Sequence, residues 1–308
     1  MLVERIVIIR DKTCLEQLVE RFNSKGQASF YIEANGGDFN TYEKEHHHFY
    51  KALDIVESYF IRNYKIKIID RSFLPTYIFS QTDLIVVMGQ DGLVANTAKY
   101  AGNKAILSIN PDEGRYDGIL LQSTLGDFKS SFEAFINGTA TIIEVTMAKA
   151  TLNDGQELLA FNDFYIGASS HVSSRYKISY GEREEFQSSS GIIISTGAGS
   201  TGWLSSVCNM TYNVSRLLSD SVTSPEISME WDADRLFFVT REPFRSKVSG
   251  TELGCGIINN KNRLIIESQM TTNGVIFSDG IESDFMVFNT GARVEITLAN
   301  HKAQLISL

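Results

Sequence analysis

The residues most able to do chemistry lie in two glycine-rich stretches. Gly89-Gln90-Asp91-Gly92 follows the apolar run Asp83-Leu84-Ile85-Val86-Val87-Met88 and precedes a helical spacing at Val94, Ala95, Ala98 and Tyr100. Glycines at such a place let backbone N–H groups approach a phosphate, and a helix N-terminus adds partial positive charge. A carboxylate there repels phosphates unless it works with Mg²⁺ or takes a proton from an attacking hydroxyl. The alternative is an aspartate that only caps its helix. Ser195-Thr196-Gly197-Ala198-Gly199-Ser200-Thr201-Gly202-Trp203 follows another apolar strand and is too small in its side chains to build a core, yet rich in donors. That composition suits sugar hydroxyls and phosphates. Asn162-Asp163 offers an amide and a carboxylate that could read a purine or hold a ribose hydroxyl, with Asp279-Gly280 in the same class; ordinary turn chemistry is the competing reading of both.

These loops need elements to hold them. Residues 6–9 form an apolar strand run, followed by helical spacing at Leu15, Leu18, Val19 and Phe22; a helix is expected over roughly 41–64, then strands at 65–69, 83–88 and 105–109. Strands alternating with helices imply a Rossmann-like α/β domain with a parallel sheet, whose ligands sit at the carboxyl ends of the strands. After about residue 137 the segments become short and β-rich, as in Phe164-Tyr165-Ile166, Ile192-Ile193-Ile194 and Leu236-Phe237-Phe238-Val239, separated by turns such as Asn153-Asp154-Gly155 and Asn259-Asn260. The expected division is an α/β domain over 1–137 and a β-sandwich domain over 138–292, with residues 293–308 returning to the first.

Composition narrows the function classes. The chain has 308 residues, 43% apolar and 21% charged, which excludes a disordered chain, a collagen-like repeat and a coiled coil. Lys plus Arg number 28 against 37 Asp plus Glu, for a net charge of -9 and no basic block, so a nucleic-acid partner is not expected. No apolar run reaches the ~18 residues of a membrane span, and Glu4 and Arg5 stand where a secretory peptide needs its apolar core, so the expectation is a cytoplasmic protein with no membrane partner. Cys14, Cys208 and Cys255 form no CxxC pair and read as core residues. The adjacent residues His46-His47-His48 point about 100° apart on a helix, so no metal site is expected there.

In this order and spacing the motifs resemble the NAD kinase family, whose members carry G-G-D-G-T, then N-[E/D], then S-T-x-x-G-S-T, then a late D-G. The resemblance spans about residues 80 to 308. Ile109-Asn110-Pro111 with Gly114 looks like the family's I-N-x-G stretch in expanded form, and Trp203 with Arg241-Glu242-Pro243 looks closer to the mitochondrial-type branch. The resemblance implies transfer of a phosphoryl group from ATP, with Mg²⁺, to the 2′-hydroxyl of the adenosine ribose of NAD, giving NADP. It assigns proton abstraction to Asp91, and nucleotide binding to Gly89, Gly92, Asn110, Asn162, Asp163, Ser195, Ala198, Gly199, Ser200, Thr201, Gly202, Trp203 and Asp279. It further implies a homodimer or homotetramer with NAD and ATP as partners. Gln90 stands at the family's second glycine and Leu93 at its threonine. A lipid or sugar kinase of the same superfamily, or an NAD-binding protein without turnover, are the alternatives.

Overall fold

The computed structural model describes residues 2–219, 223 and 228–308. The chain divides into two compact units, Met1–Ile143 with Gln304–Leu308, and Glu144–Ala303.

The first unit is built on strands β1 (Arg5–Arg10), β2 (Lys65–Asp70), β3 (Asp83–Met88), β4 (Ala105–Asn110), the two-residue β5 (Ser123–Thr124) and β6 (Thr141–Val145), joined by the chain's last strand, Ala303–Ser307. β1 pairs in parallel with β2 and β3, β3 with β4, and β4 with both β5 and the last strand. Helices α1 (Cys14–Phe22), α2 (Lys25–Ala34), α3 (Phe39–Phe60), α4 (Asp91–Ala101) and α5 (Phe128–Ile136) provide the connections. Every residue of β3 and β4 is buried, as strands covered on both faces must be. One face meets α3 and α5: Ile8, Val86, Leu107 and Ile109 share a core with Val56, Phe60, Phe128 and Phe132. Residues of the other parity, such as Ile9, Val87 and Ser108, are equally inaccessible.

Local sequence sets the helix ends. α1 begins in a capping box, Thr13 accepting from the Glu16 N–H while the Glu16 carboxylate accepts from the Thr13 N–H. α3 starts earlier than its apolar spacing suggests, because the Asp38 carboxylate accepts from the Asn40 N–H. α2 gives almost no periodic signal: Ala28 is buried while Phe30 and Tyr31 lie exposed.

The second unit is a sandwich. β7 (Ala148–Leu152), β8 (Glu157–Ala160), β9 (Asp163–Ala168), β10 (Ser174–Tyr180), β11 (Arg183–Ser189), β12 (Ile192–Ser195), β13 (Leu236–Thr240), β14 (Cys255–Ile258), β15 (Leu264–Ser268), β16 (Gly274–Ser278), β17 (Ile281–Val287) and β18 (Arg293–Leu298) form two six-stranded sheets, with α6 (Trp203–Leu218) following β12. The sheet orders are β11-β10-β15-β18-β7-β8 and β14-β13-β12-β9-β16-β17. Their inner faces share one core, in which Ala150, Tyr176 and Ile266 from the first sheet meet Phe164, Ile194 and Phe238 from the second. The last strand, β19 (Ala303–Ser307), leaves this unit for the parallel sheet, whereas β18 remains in the sandwich. The cysteines are not core residues: Cys14 and Cys208 are half-buried, and Cys255 is exposed because it lies on the edge strand β14.

Phe60 is fully buried and meets Phe132 edge-on at 5.0 Å. Phe60→Ala is therefore expected to destabilise the first unit by about 3–5 kcal/mol, read as a lower denaturation midpoint.

Candidate functional site

In the first unit β3 ends at Met88 and α4 begins at Asp91, the first helical residue, after Gly89 and Gln90. A Cβ at Gly89 would lie 2.9 Å from the Leu93 Cδ2, so a larger residue there would have to displace the end of that side chain. Leu93 is buried at 2% exposure, so it fills the space beneath the turn. Gln90 and Gly92 are exposed. Asp91 does not cap its own helix. Its carboxylate accepts the N–H of Ile119 at 3.0 Å on one oxygen and the N–H of Leu120 at 2.9 Å on the other. Asn110, at the end of β4, is also engaged: its amide donates to the Tyr116 carbonyl at 3.0 Å and accepts from the Asp112 N–H at 3.0 Å. Beside the turn is a cavity of about 260 Å³ whose lining includes Lys12, Arg71, Gly89, Gln90, Gly92 and Leu93. Two of those cations are already paired, Lys12 with Glu20 and Arg71 with Asp11.

The second unit gathers the other three motifs. Asp279 sits in the turn between β16 and β17 at φ 54, and its carboxylate accepts from the N–H groups of Phe161 (3.0 Å), Asn162 (2.6 Å) and Asp163 (3.2 Å). The glycine-rich stretch is locked to the same segment. Thr196 donates its hydroxyl to the Phe161 carbonyl at 2.6 Å and its N–H to the Asn162 carbonyl at 2.9 Å. Gly199 packs so closely on Asn162 that a Cβ would lie 2.1 Å from the Asn162 carbonyl oxygen.

Not every hydroxyl of this stretch faces outward. Ser195 and Ser200 are buried and donate to the carbonyls of Thr196 and Gly197. Ala198 and Trp203 are half-buried, and Thr201 and Gly202 exposed, so these four are the residues a ligand could meet. The Trp203 indole stacks on Tyr165 at 5.8 Å and 12°, with the Arg241 guanidinium 5.4 Å above it. Tyr165 has no motif spacing that marks it in the sequence, and Arg241 stood out only within Arg241-Glu242-Pro243, as part of the family resemblance and not as a site residue. Tyr165, Trp203 and Arg241 line a cavity of about 890 Å³ with Ser190, Asn273 and Phe277. His171, also on its lining, is exposed.

Burial and the neighbouring Asp279 charge push the Asp163 carboxyl up to about 7. A half-buried acid that holds its proton to neutral pH can donate a hydrogen bond as well as accept one.

No family model matches the chain. It is 26% identical over 159 residues to the NAD kinase of Geobacter metallireducens, covering 50% of this chain and 54% of that protein. It is 33% identical over 129 residues to the NAD kinase of Heliobacterium modesticaldum, covering 40% and 45%. The matched region thus spans about half the length of these curated relatives. Among solved structures, an NAD kinase from Archaeoglobus fulgidus in complex with ATP superposes with a TM-score of 0.57 at 13% identity, covering 98% of this chain and 92% of that one. Yeast NADH kinase complexed with NADH gives a TM-score of 0.59 at 14% identity, covering 100% and 84%. The chain has the two-domain fold of these kinases.

The raised Asp163 carboxyl has a consequence for stability. An ordinary aspartate in the unfolded chain releases its proton near pH 4, while the native state holds it to about 7. The stabilisation from that proton is complete below about pH 4 and is lost as pH rises towards 7. Melting temperatures of the wild type and Asp163→Asn, compared from about pH 5 to 7.5, should show the variant losing less stability as pH rises.

Proposed function

We propose that this chain is an NAD kinase-like phosphotransferase, moving a phosphoryl group from ATP to the 2′-hydroxyl of the adenosine ribose of NAD to give NADP. The observation that carries the reading is the convergence of three motifs on residues 161–163, whose N–H groups bind the Asp279 carboxylate while the Phe161 and Asn162 carbonyls receive the Ser195–Trp203 stretch. That convergence leaves Ala198, Thr201, Gly202 and Trp203 accessible beside an amide and an acid, a combination suited to ribose hydroxyls and a stacked ring. The similarity to named NAD kinases over half of their length supports the same reading.

In this reading Asp91 takes the proton of the 2′-hydroxyl as that oxygen bonds to the γ-phosphorus and the bond from phosphorus to the departing ADP oxygen breaks. Each Asp91 oxygen already accepts one N–H, and a carboxylate oxygen has a second lone pair with which to accept the hydroxyl. Asn162, Asp163, Thr201, Gly202 and Trp203 orient NAD, and the Gly89–Gly92 turn receives phosphate. Among the described residues no group of three or more His, Cys, Asp or Glu side chains is placed to hold a metal ion. Mg²⁺ binds through substrate phosphates, a few waters and one or two carboxylates; it would arrive with ATP and offset the charge of the transferred group.

Trp203 and Arg241-Glu242-Pro243 support a place near the mitochondrial-type branch. Among the described residues no helix is long and apolar enough to cross a membrane, and we read the protein as a cytoplasmic homo-oligomer. Leu93 favours one second reading, NAD binding without turnover, since a buried leucine donates no hydrogen bond to phosphate.

Incubation with ATP, NAD and Mg²⁺ is expected to yield NADP, which would eliminate the binding-only reading. Asp91→Asn should lower kcat by at least about 100-fold while NAD affinity, measured by calorimetry, changes little; an active variant would remove Asp91 from the role of base.

A further inference from the structure

Asp91 is oriented from behind by a loop, and the loop is oriented by two side chains of one strand. Ser108 and Asn110 are two residues apart on β4 and so point to the same face, opposite the face on which Leu107 and Ile109 enter the core with α3 and α5. Ser108 is fully buried. Its hydroxyl donates to the Leu120 carbonyl at 2.7 Å and accepts from the Gln122 N–H at 2.9 Å. Asn110 clamps the earlier part of the same loop through Asp112 and Tyr116. Gly118, at φ +65, passes between them so tightly that a Cβ would lie 2.9 Å from the Asn110 Nδ2 and 3.2 Å from the Leu121 Cβ. The next two N–H groups, of Ile119 and Leu120, are those that hold the Asp91 carboxylate.

We propose that Ser108 is a positioning residue for phosphoryl transfer, acting with Asn110 and Gly118 to aim the Ile119 and Leu120 N–H groups at Asp91 and so fix the orientation of its carboxylate. The proposal rests on the reading of Asp91 as the base. The chain of contacts is continuous: residue Leu120 is held by Ser108 at its carbonyl and by Asp91 at its N–H, on the two peptide groups that flank its Cα. A carboxylate free to rotate presents its acceptor lone pairs correctly for only part of the time, which lowers the rate of a proton transfer without weakening substrate binding.

Ser108→Ala removes both loop hydrogen bonds and leaves no bulk behind. The expected result is a folded enzyme whose kcat falls about tenfold or more while KM for NAD and for ATP stays within about twofold. Hydrogen exchange at Ile119 and Leu120 should speed up by a similar factor while exchange in β3 is unchanged. If Ser108→Ala does not fold, replacement of the Leu120 amide by an ester deletes one N–H donor to Asp91 and is expected to give the same split between kcat and KM. Unchanged kcat in either folded variant, or equal losses in kcat and thermal stability with faster exchange throughout the sheet, would overturn the proposal. The failure of the function itself looks different: the wild type makes no NADP, yet exchange at Ile119 and Leu120 still reports whether Ser108 holds the loop.

Discussion

Three consecutive backbone N–H groups pointing at one carboxylate, that of Asp279, hold the second unit's motifs in place. A hydrogen bond to a charged group contributes about 1.5–3 kcal/mol, and donors left unpaired in a partly buried turn cost a comparable amount. Removing the carboxylate therefore does more than delete one contact. It orphans the N–H groups of residues 161–163 just where Thr196 and Gly199 dock against their carbonyls. The Asp279 backbone accepts the left-handed region to make this possible, and Gly280, at φ +70, completes the turn.

The first unit solves the same problem with fewer donors. Asp91, in the first turn of α4, gains from the helix N-terminus and from two loop N–H groups. Its partners are backbone N–H groups and among the described residues it carries no paired cation, which separates it from a structural ion-paired carboxylate such as Asp83. That residue is buried, bound by the Nε and Nη2 edge of the Arg5 guanidinium at 2.8 Å and by the Ser80 N–H at 2.7 Å. Asp83 is buried, whereas Asp91 is half-buried in a turn whose Gln90 and Gly92 are exposed.

The parallel sheet was legible because β3 and β4 are continuous apolar runs with sharp ends, and the turns at Asn153-Asp154-Gly155 and Asn259-Asn260 do separate strands. α2 was not legible, because its composition carries no apolar stripe and its aromatic residues stay exposed. At the candidate site the sequence displayed Asp91 but not its partners, since the N–H groups of Ile119 and Leu120 carry no side-chain signature. Ser108 reads as one small residue inside an apolar strand; only the face it shares with Asn110 reveals its task. Likewise the hydroxyls of the Ser195–Trp203 stretch look alike in sequence, yet Ser195 and Ser200 turn inward while Thr201 does not. That distinction depends on packing against Asn162 and Glu230, which are distant along the chain.

The most direct test of the account is a crystal structure of the protein with NAD bound. The adenosine-ribose 2′-oxygen is expected within about 3.5 Å of an Asp91 carboxylate oxygen, hydrogen-bonding reach for a base, with the Ile119 and Leu120 N–H groups still bound to that carboxylate. A dinucleotide bound with its 2′-oxygen out of reach of Asp91, or with another side chain at that oxygen, would contradict it.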